Sequence, residues 1–305
     1  MKNLQRLRIS IVGAGKVGTN LGYHIVKSGL PFAGIFSKRS SSAIRAIRAI
    51  GKSRVLSSMR ELIPASDIII IAVNDSEIGN VVKEISREQS LERQEQGIGG
   101  LNKKIFIHTC GSLPSSVLFP LVRFGASVAS MHPLQTISSS DSGMQSLKGT
   151  SFLIEGGKEA VSAARMIARK TGGKALIIDK KDKCAYHLAA AFLSNYIVSL
   201  ADMALDVIPD VSLSKRELSK IFSPLIEGTA RNLRMHGMPD ALTGPISRGD
   251  IATVRKHLEM LKDESSELRT LHRILARRAL RIAVKQKRLS AEKKVLLMRL
   301  LGQKS

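Results

Sequence analysis

The sequence predicts an α/β protein in two parts, a doubly wound, mostly parallel sheet followed by an all-α C-terminal domain. Short aliphatic runs alternate with helical periodicity over roughly the first 180 residues, a pattern typical of doubly wound sheets. Beyond this point the periodicity is almost entirely helical, so we expect domains at 1–180 and 181–305. The 305 residues suffice for both, because single cores rarely grow beyond roughly 250–300 residues.

Local patterns predict the individual elements. The run Asp67–Val73 is continuously aliphatic, which indicates a strand buried on both faces, whereas the polar segment Arg87–Gly100 is expected to be a surface loop. The predicted strands are Ile9–Val12, Phe32–Phe36, Val55–Leu56, Asp67–Val73, Lys104–His108, Val128–Met131, Ser151–Glu155 and Ala175–Ile178. The helices predicted among them are Gly18–Lys27, Ala43–Ile50, Ile78–Ile85 and Ala160–Arg169, and Pro209, Pro224 and Gly237–Gly249 are expected to interrupt the C-terminal helices.

The net charge of +23 raises the question of a nucleic-acid partner. The cations are spread along the chain, with the densest stretch at His272–Lys304, and no recognition motif accompanies them. Aromatic residues make up only 4% of the chain and tryptophan is absent, so base-stacking platforms are missing. We therefore do not expect nucleic acid as the partner; an anionic cofactor and an anionic substrate would account for part of the positive charge.

Other features favour a cytoplasmic protein without a membrane span. The first residues do not resemble a signal peptide. The apolar stretch Ala185–Ala201 contains His187, Ser194 and Asn195, which makes it a poor membrane span. The spacing of Cys110 and Cys184 indicates neither a metal site nor a disulfide.

A glycine-rich loop provides the strongest functional motif. Gly13-Ala14-Gly15-Lys16-Val17-Gly18 follows a predicted strand and opens a predicted helix, the context in which the pattern GxGxxG binds a dinucleotide. The first glycine permits the tight turn, the second lets the backbone approach the pyrophosphate, and the third allows close packing of helix on strand. The free N–H groups of the helix N-terminus then face the anion. A Rossmann domain is thus expected.

The end of the second predicted strand indicates which dinucleotide is bound. An NAD site normally has an acidic residue about 20 residues after the glycines, but this chain has Ser37, Lys38, Arg39 and Ser40 there. Two cations and two hydroxyls suit a 2′-phosphate, so NADP(H) is predicted. A solvated basic turn is the alternative interpretation.

The predicted third parallel strand ends in Val73-Asn74-Asp75. Ligands in open α/β sheets lie at the carboxyl ends of the strands, so Val73 and Asn74 are expected to contact the nicotinamide ribose. Asp75 is more simply explained as the N-cap of the helix that begins near Glu77.

Six segments together resemble one known family. They are the glycine loop, Asp67–Asp75, His108–Ser112, Met131–Thr136, Tyr186–Asn195 and Leu242–Asp250. The chain resembles, up to about residue 283, the Rossmann-like bacterial proteins whose C-terminal half is a domain of unknown function. That family is related to pyrroline-5-carboxylate reductase, ketopantoate reductase and the 6-phosphogluconate dehydrogenase group.

The resemblance implies an NADP(H)-dependent reductase with a helical domain like the C-terminal domain of 6-phosphogluconate dehydrogenase, and a homodimer. Some members resemble an alternative ketopantoate reductase that serves pantothenate synthesis. The chain departs from the family pattern at Cys110, where serine is usual, and at Asn74, where proline is usual. The basic extension after Ile282 is also outside the pattern.

A reductase of this kind needs a proton donor and a clamp for the substrate's charge. On one continuous helix, Lys183, His187 and Ser194 would lie within about 40° of one another, with Asn195 about 80° from His187. His187 is the first choice of proton donor and Lys183 the rival, while Asn195 would hold the substrate. Each also has a structural explanation: a hydrogen-bonded core histidine, a solvated helix start and an interhelical hydrogen bond.

The remaining candidates are expected to bind the substrate or the nicotinamide. Thr243, Gly244 and Arg248 belong to a Gly-Pro turn that could bind a carboxylate. Asp250, at the end of that motif, is predicted to be a helix N-cap. His132 follows one predicted strand, and His108 ends another beside Gly111, near the expected nicotinamide position; a lone histidine is more often structural.

Three functions remain open from the sequence. An NADPH-dependent reductase of a small 2-keto acid, with ketopantoate as the best single guess, is the leading hypothesis. An imine reductase like pyrroline-5-carboxylate reductase is the second, and a non-catalytic NADP(H)-binding regulator is the third.

Overall fold

The computed structural model describes residues 4–51, 54–96, 100–137, 144–208 and 212–302. They form two compact units, which divide between Ser194 and Asn195. The sequence changes to helical periodicity near residue 180, before the point where the two units divide. The helix Lys183–Phe192, which follows that change, belongs to the first unit together with the sheet.

The first unit contains a seven-stranded sheet, which confirms the predicted fold class. The observed strands lie within two residues of the predicted ones, except that Val55 forms only an isolated bridge to Ile35. The strands are β1 Ile9–Val12, β2 Phe32–Phe36, β3 Ile68–Ile71, β4 Ile105–His108, β5 Ser127–Pro133, β6 Ser151–Gly156 and β7 Lys174–Ile177.

The sheet order is β2-β1-β3-β4-β5-β6-β7, and all neighbours are parallel except the antiparallel pair β5 and β6. The bridge from Val55 to Ile35 occupies the outer edge beside β2, where the third strand lies in the usual Rossmann order 3-2-1-4-5-6. After β2 is added on one side of β1, β3 and the later strands are added on the other, and such a reversal of strand order opens a crevice at the carboxyl ends of the strands.

Both faces of the sheet are covered, as the aliphatic runs predicted. In β3, Ile68 and Ile70 pack into the core on one face and Ile69 and Ile71 into the core on the other, and all four side chains are completely buried. Successive side chains of a strand point to opposite faces, so a strand with helices on both sides needs an apolar residue at every position.

Seven helices surround this sheet within the described residues, together with short 3-10 turns. They are α1 Lys16–Lys27, α2 Ser40–Ile50, α3 Met59–Ala65, α4 Asp75–Gln96, α5 Phe119–Val122, α6 Lys158–Lys170 and α7 Lys183–Phe192. Helix α3 was not predicted; Ser58 caps it by accepting a hydrogen bond from the N–H of Glu61.

The predicted surface loop Arg87–Gly100 is wrong over most of its length, because α4 continues to Gln96; residues 97–99 lie outside the described part. Its polarity suggested a loop, but Glu, Gln, Arg and Leu are strong helix formers whatever their polarity. Gln89 is buried and donates to Glu92 one turn later at 2.8 Å, which supports the helix locally.

The second unit is all-helical in its described residues. Its small core joins Val254, Ala276, Leu280, Leu297 and Leu301. The helices are α8 Asn195–Leu205, α9 Lys215–His236, α10 Pro245–Arg248, α11 Ile251–Met260, α12 Ser266–Lys285 and α13 Ala291–Leu300.

Two predictions about this unit have clear outcomes. Asp250 is the N-cap of α11, since its carboxylate accepts from the N–H of Thr253 at 3.0 Å. The interruption predicted at Pro224 is wrong, because α9 continues through it. Proline removes the hydrogen bond to the carbonyl four residues earlier, and the hydroxyl of Ser223 donates to that carbonyl, of Lys220, at 3.0 Å. Pro209 lies outside the described residues.

Large apolar side chains remain exposed on α8 and α9. Val198 is 71% exposed and Leu225 is 68% exposed. The segment Lys180–Leu205 also has the length and apolar composition of a membrane span, with a mean hydropathy of 1.5. Only 6% of its apolar window is buried; within the segment, α7 ends at Phe192 and α8 begins at Asn195.

Candidate active site

The glycine loop connects β1 to α1 at the switch point of the sheet. Gly13 has a φ of +110°, and a Cβ there would lie 2.7 Å from the carbonyl carbon of Ala72. A Cβ on Gly18 would overlap the carbonyl oxygen of Gly13. These two positions therefore require glycine for packing, as the motif predicts.

Gly15 differs from the other two glycines because space beside it is open. A Cβ there would have no neighbouring atom within 4 Å, so the backbone is accessible to a ligand. Gly15 is the N-cap of α1 without a side-chain hydrogen bond, and the first N–H groups of a helix have no partner within the helix. Together they form a cradle that fits a pyrophosphate.

The two cations after β2, Lys38 and Arg39, have different surroundings. The Nζ atom of Lys38 lies 3.0 Å from a carboxylate oxygen of Glu77, on α4, and this pairing raises the pKa of Lys38. Arg39 is the exposed N-cap residue of α2 and has no ion pair within the described residues. Ser37 is half-buried and Ser40 begins α2. Arg39 is thus the cation better placed to meet an added phosphate.

The residues after β3 differ from prediction in one respect. Asp75 is the first residue of α4, and not the N-cap before it. It instead accepts a hydrogen bond from Ser112 at 3.3 Å, which links the loops that follow β3 and β4. Val73 and Asn74 precede it at the carboxyl end of β3, as predicted.

Gly111, His132 and His187 meet at this same edge of the sheet. Gly111 follows β4, His132 lies near the end of β5, and His187 lies on α7. The two imidazole rings are 5.7 Å apart at an interplanar angle of 80°. A Cβ on Gly111 would overlap Nδ1 of His187 and lie 2.9 Å from Nε2 of His132. Only glycine allows both rings to approach the loop.

The hydrogen bond of His132 determines which of its nitrogens is free to accept. Its Nδ1 lies 3.0 Å from the carbonyl oxygen of Thr109, which can only accept, so Nδ1 carries the proton. Burial lowers the pKa of His132, with the Lys183 and His187 charges adding to the effect. The neutral ring therefore leaves Nε2 as an acceptor beside Gly111.

The Lys183 side chain is buried at the start of α7. It is 1% exposed, and its Nζ atom hydrogen-bonds Oγ of Ser130, on β5. Ser130 pairs in register with Glu155 on β6, a carboxylate that accepts from the N–H and hydroxyl of Ser115 at 2.6 and 2.7 Å. Burial lowers the pKa of Lys183, while the negative charge of Glu155 opposes the change.

Two further residues surround this cluster. The N–H of Cys110 donates to Nδ1 of His108 at 3.2 Å. The Cys110 thiol lies 3.4 Å from the hydroxyl of Ser112, and burial raises its pKa. Burial and the Lys183 charge lower the pKa of His108 to about 4. Both side chains are therefore neutral at physiological pH.

The other predicted site residues do not belong to this cluster: Ser194 follows α7, and the rest are in the second unit. The predicted continuous helix is wrong, because α7 ends before Ser194, whose hydroxyl donates to the carbonyl of Ala190 at 2.8 Å. Asn195 begins α8 in the second unit, which also contains Thr243, Gly244 and Arg248. Gly244 is the N-cap of α10, and Arg248 ends that helix with an exposed side chain.

Sequence reasoning missed Ser115, Ser130 and Glu155. One signal was available for Glu155, since it is a carboxylate in a strand whose preceding three residues, Phe152–Ile154, are apolar; a charge in such a place is rarely buried without a partner. No sequence signal paired it with Ser130, because that pairing depends on the register of an antiparallel strand.

Comparisons with known proteins agree with the fold. Residues 2–133 match the family model of the Rossmann-like domain. Residues 150–279 match the model of a domain of unknown function, DUF2520. The chain combines a Rossmann-like domain with a DUF2520 domain. This confirms the resemblance to Rossmann-like proteins whose C-terminal half has no assigned function.

Solved structures share the fold of nearly the whole chain. A protein from Thermotoga maritima superimposes with a TM-score of 0.68 at 22% identity, covering 92% of this chain and all of that one. A protein from Bacteroides fragilis with the provisional name NADP oxidoreductase gives 0.65 at 23% identity over the same shares. A reductive aminase from Aspergillus terreus, in complex with NADPH, gives 0.56 at 16% identity, covering 97% and 93%.

At these low sequence identities, the superpositions show a shared fold. No protein with a curated function matches the chain significantly.

The lowered pKa of His108 predicts a pH dependence of stability. Folded His108 takes up a proton only near pH 4, whereas the unfolded chain does so near 6.5. Because the unfolded chain binds this proton more readily, protonation favours unfolding. His108 therefore lowers the free energy of unfolding by about 3 kcal/mol as the pH falls from 6.5 to 4. In urea unfolding at several pH values, His108→Gln should show a correspondingly shallower loss of stability than the wild type.

The matched control for this experiment is His236→Gln, which changes an exposed histidine. It should leave the wild-type pH dependence intact. Parallel stability curves for the wild type and His108→Gln would contradict the prediction.

Proposed function

We propose that the chain is an NADP(H)-dependent oxidoreductase that reduces a C=O or C=N bond of a small molecule. The supporting observation is that the open cradle at Gly15 and the cluster of Lys183, His132 and His187 lie at the same edge of one sheet. A nucleotide site beside buried acid–base groups is what hydride transfer to a polar double bond requires. NADP oxidoreductases and imine reductases share this fold.

The residues present fit the proposed cofactor. The N-terminus of α1 and Gly15 would bind the pyrophosphate, Ser37, Arg39 and Ser40 the 2′-phosphate, and Val73, Asn74 and Gly111 the nicotinamide end. When bound, the reduced nicotinamide supplies a hydride to the substrate.

The protein's own task is to deliver a proton to the oxygen or nitrogen that becomes negative. His187 is half-buried and its Nδ1 has no hydrogen-bond partner among the described residues, so we assign it the proton transfer. Lys183, which is buried one turn earlier on the same helix, would stabilise the developing negative charge. His132 can accept a hydrogen bond from the substrate through Nε2.

Two substrate classes follow from the sequence and the fold. Small 2-keto acids, with ketopantoate as the best single guess, would bind through their carboxylate, for which the guanidinium of Arg248 and the polar groups of Thr243, Gly244 and Asn195 are the candidates. Cyclic imines form the second class, and the fold shared with a reductive aminase that binds NADPH favours it. A non-catalytic NADP(H)-binding regulator would bind the cofactor without turnover.

The cofactor assignment predicts a selective effect at Arg39. Arg39→Ala should weaken NADPH binding at least about tenfold, because it removes a charge-assisted pair with the 2′-phosphate, and should leave NADH binding within about twofold. Titration of the full chain followed by nicotinamide fluorescence measures both. Arg45→Ala, an exposed cation farther along α2, is the control. Equal losses for NADPH and NADH would refute the assignment.

The proton-transfer assignment predicts a separation of turnover from binding. His187→Ala should lower kcat about 100-fold or more, the usual contribution of a general acid, with NADPH affinity nearly unchanged. NADPH oxidation is measured with ketopantoate and with a cyclic imine. An unchanged kcat in His187→Ala together with a large loss in Lys183→Met would move the acid role to Lys183. Tight NADPH binding with no turnover of either substrate would favour the regulator.

We also propose that the protein is a cytoplasmic homodimer that buries the apolar faces of α8 and α9. Exposed patches of this extent usually mark an interface. Light scattering should give twice the monomer mass of 33.1 kDa, and Leu225→Glu should shift the protein towards the monomer. Ile274→Glu is the control, since Ile274 is an apolar residue on α12 that is 60% exposed. A monomer that requires detergent would contradict the dimer and favour a membrane span.

A further inference from the structure

The second unit contains a groove between α12 and α13 that the proposed reaction does not use. It encloses about 1000 Å³, a volume at the upper end of ordinary ligand sites. Its lining includes five cations and several apolar side chains, and all of it belongs to the second unit. The cations are Arg277, Arg278, Arg281, Lys285 and Lys294. We call this feature the α12–α13 groove.

The positive charge of the groove is not neutralised by the described part of the protein. Arg278, Arg281, Lys285 and Lys294 are exposed, and none of them forms an ion pair with a described carboxylate. From residue 266 to residue 302 the sequence has eleven lysines and arginines but only two acidic residues. This stretch therefore contributes 11 − 2 = +9 of the net charge of +23, a larger share than its length would give.

The arrangement within α12 opposes helix stability. Arg277 and Arg281 are four residues apart, as are Arg281 and Lys285, and like charges at this spacing repel each other on a helix. A helix selected only for solubility would interleave acidic residues. The uncompensated repulsion indicates that the cations act together on something negative.

The groove is a built feature and not merely the face of one helix. Leu280 of α12 and Leu297 of α13 belong to the same buried core. Nε of Arg277 donates to the carbonyl oxygen of Leu301 at 2.7 Å, and its Nη2 donates to that of Gly302 at 2.5 Å. These contacts hold the end of α13 against α12, so the wall that contains Lys294 has a defined position.

We propose that the α12–α13 groove binds a small ligand with two or more adjacent phosphate groups. Arginine forks and lysine ammonium groups are the side chains that bind clustered phosphates, and Met238, Val284 and Met298 provide an apolar wall for the rest of the ligand. Among the residues that line the groove none is aromatic, so it lacks the stacking surface of a single-stranded nucleic-acid site.

This inference is independent of the proposed oxidoreductase activity. The glycine loop lies in the first unit and the groove in the second, so phosphate binding in the groove would persist if the chain did not bind NADP(H). The family model of the C-terminal half ends at residue 279, before α13, so the groove depends on a helix beyond the matched region.

The test is calorimetric titration of the full chain with inorganic tripolyphosphate at 150 mM salt, with and without saturating NADP⁺. We expect binding that NADP⁺ does not displace. Arg281→Gln combined with Lys285→Gln should weaken it at least about tenfold, because two charge-assisted contacts are lost. Since those side chains are exposed and repel, the double variant should melt at or above the wild-type Tm.

The control is Arg273→Gln combined with Arg299→Gln, which removes the same charge from exposed positions of α12 and α13 outside the groove. It should keep the affinity within about twofold. Absence of tripolyphosphate binding or equal losses in both double variants would each overturn the proposal.

A second set of titrations identifies the source of the phosphates. ATP binding that depends on Arg281 and Lys285 supports a soluble ligand. Binding to vesicles that contain a phosphoinositide, with the same dependence, supports a lipid headgroup of the same chemistry. Binding of a 20-nucleotide single strand without competition by tripolyphosphate would overturn the proposal in favour of a nucleic-acid site.

Discussion

The buried ammonium group of Lys183 is the feature on which the arrangement of the site depends. Removing a cation from water costs several kcal/mol unless partners compensate it. Here Ser130 accepts its hydrogen bond and Glu155, on the next strand, supplies negative charge. The contact anchors α7 to the sheet. It thereby explains why the first compact unit extends past the change to helical periodicity, and why the proposed acid–base groups belong to the same unit as the nucleotide cradle.

Once α7 is anchored, His187 lies one turn after Lys183 and meets the loop after β4. That approach is possible only because Gly111 has no side chain. The positive charge of Lys183 also keeps its histidine neighbours neutral, since it adds to burial in lowering the pKa of His108 and of His132. The cluster thus combines the ammonium group of Lys183 with two histidines, His108 and His132, whose pKa burial lowers, an arrangement suited to stabilising negative charge as it develops.

The second unit shows a different balance. Its buried core is small, while apolar side chains on α8 and α9 and cations along α12 face outward. Both features are costly for an isolated domain, the first through exposed apolar surface and the second through repulsion. In our proposals, a second copy of the chain covers the apolar faces of α8 and α9, and a ligand with adjacent phosphates neutralises the α12–α13 groove.

Much of the fold was determined by the sequence alone, because the relevant forces are local. The period of the apolar residues predicted the strands, and the spacing of Gly13, Gly15 and Gly18 predicted a turn in which Gly13 and Gly18 admit nothing larger. The sequence failed where a competing local effect prevailed, as at Pro224, whose lost hydrogen bond is compensated by Ser223.

Only the tertiary structure decided which polar groups meet. The partnership of Lys183 with Ser130 joins residues 53 positions apart, and the register of β5 with β6 places Glu155 opposite Ser130. Neither relation has a local signature, because a strand's register and a helix's docking depend on the packing of whole elements. The sequence therefore determined where the nucleotide cradle lies, while the identity of the acid–base cluster beside it was decided by long-range contacts.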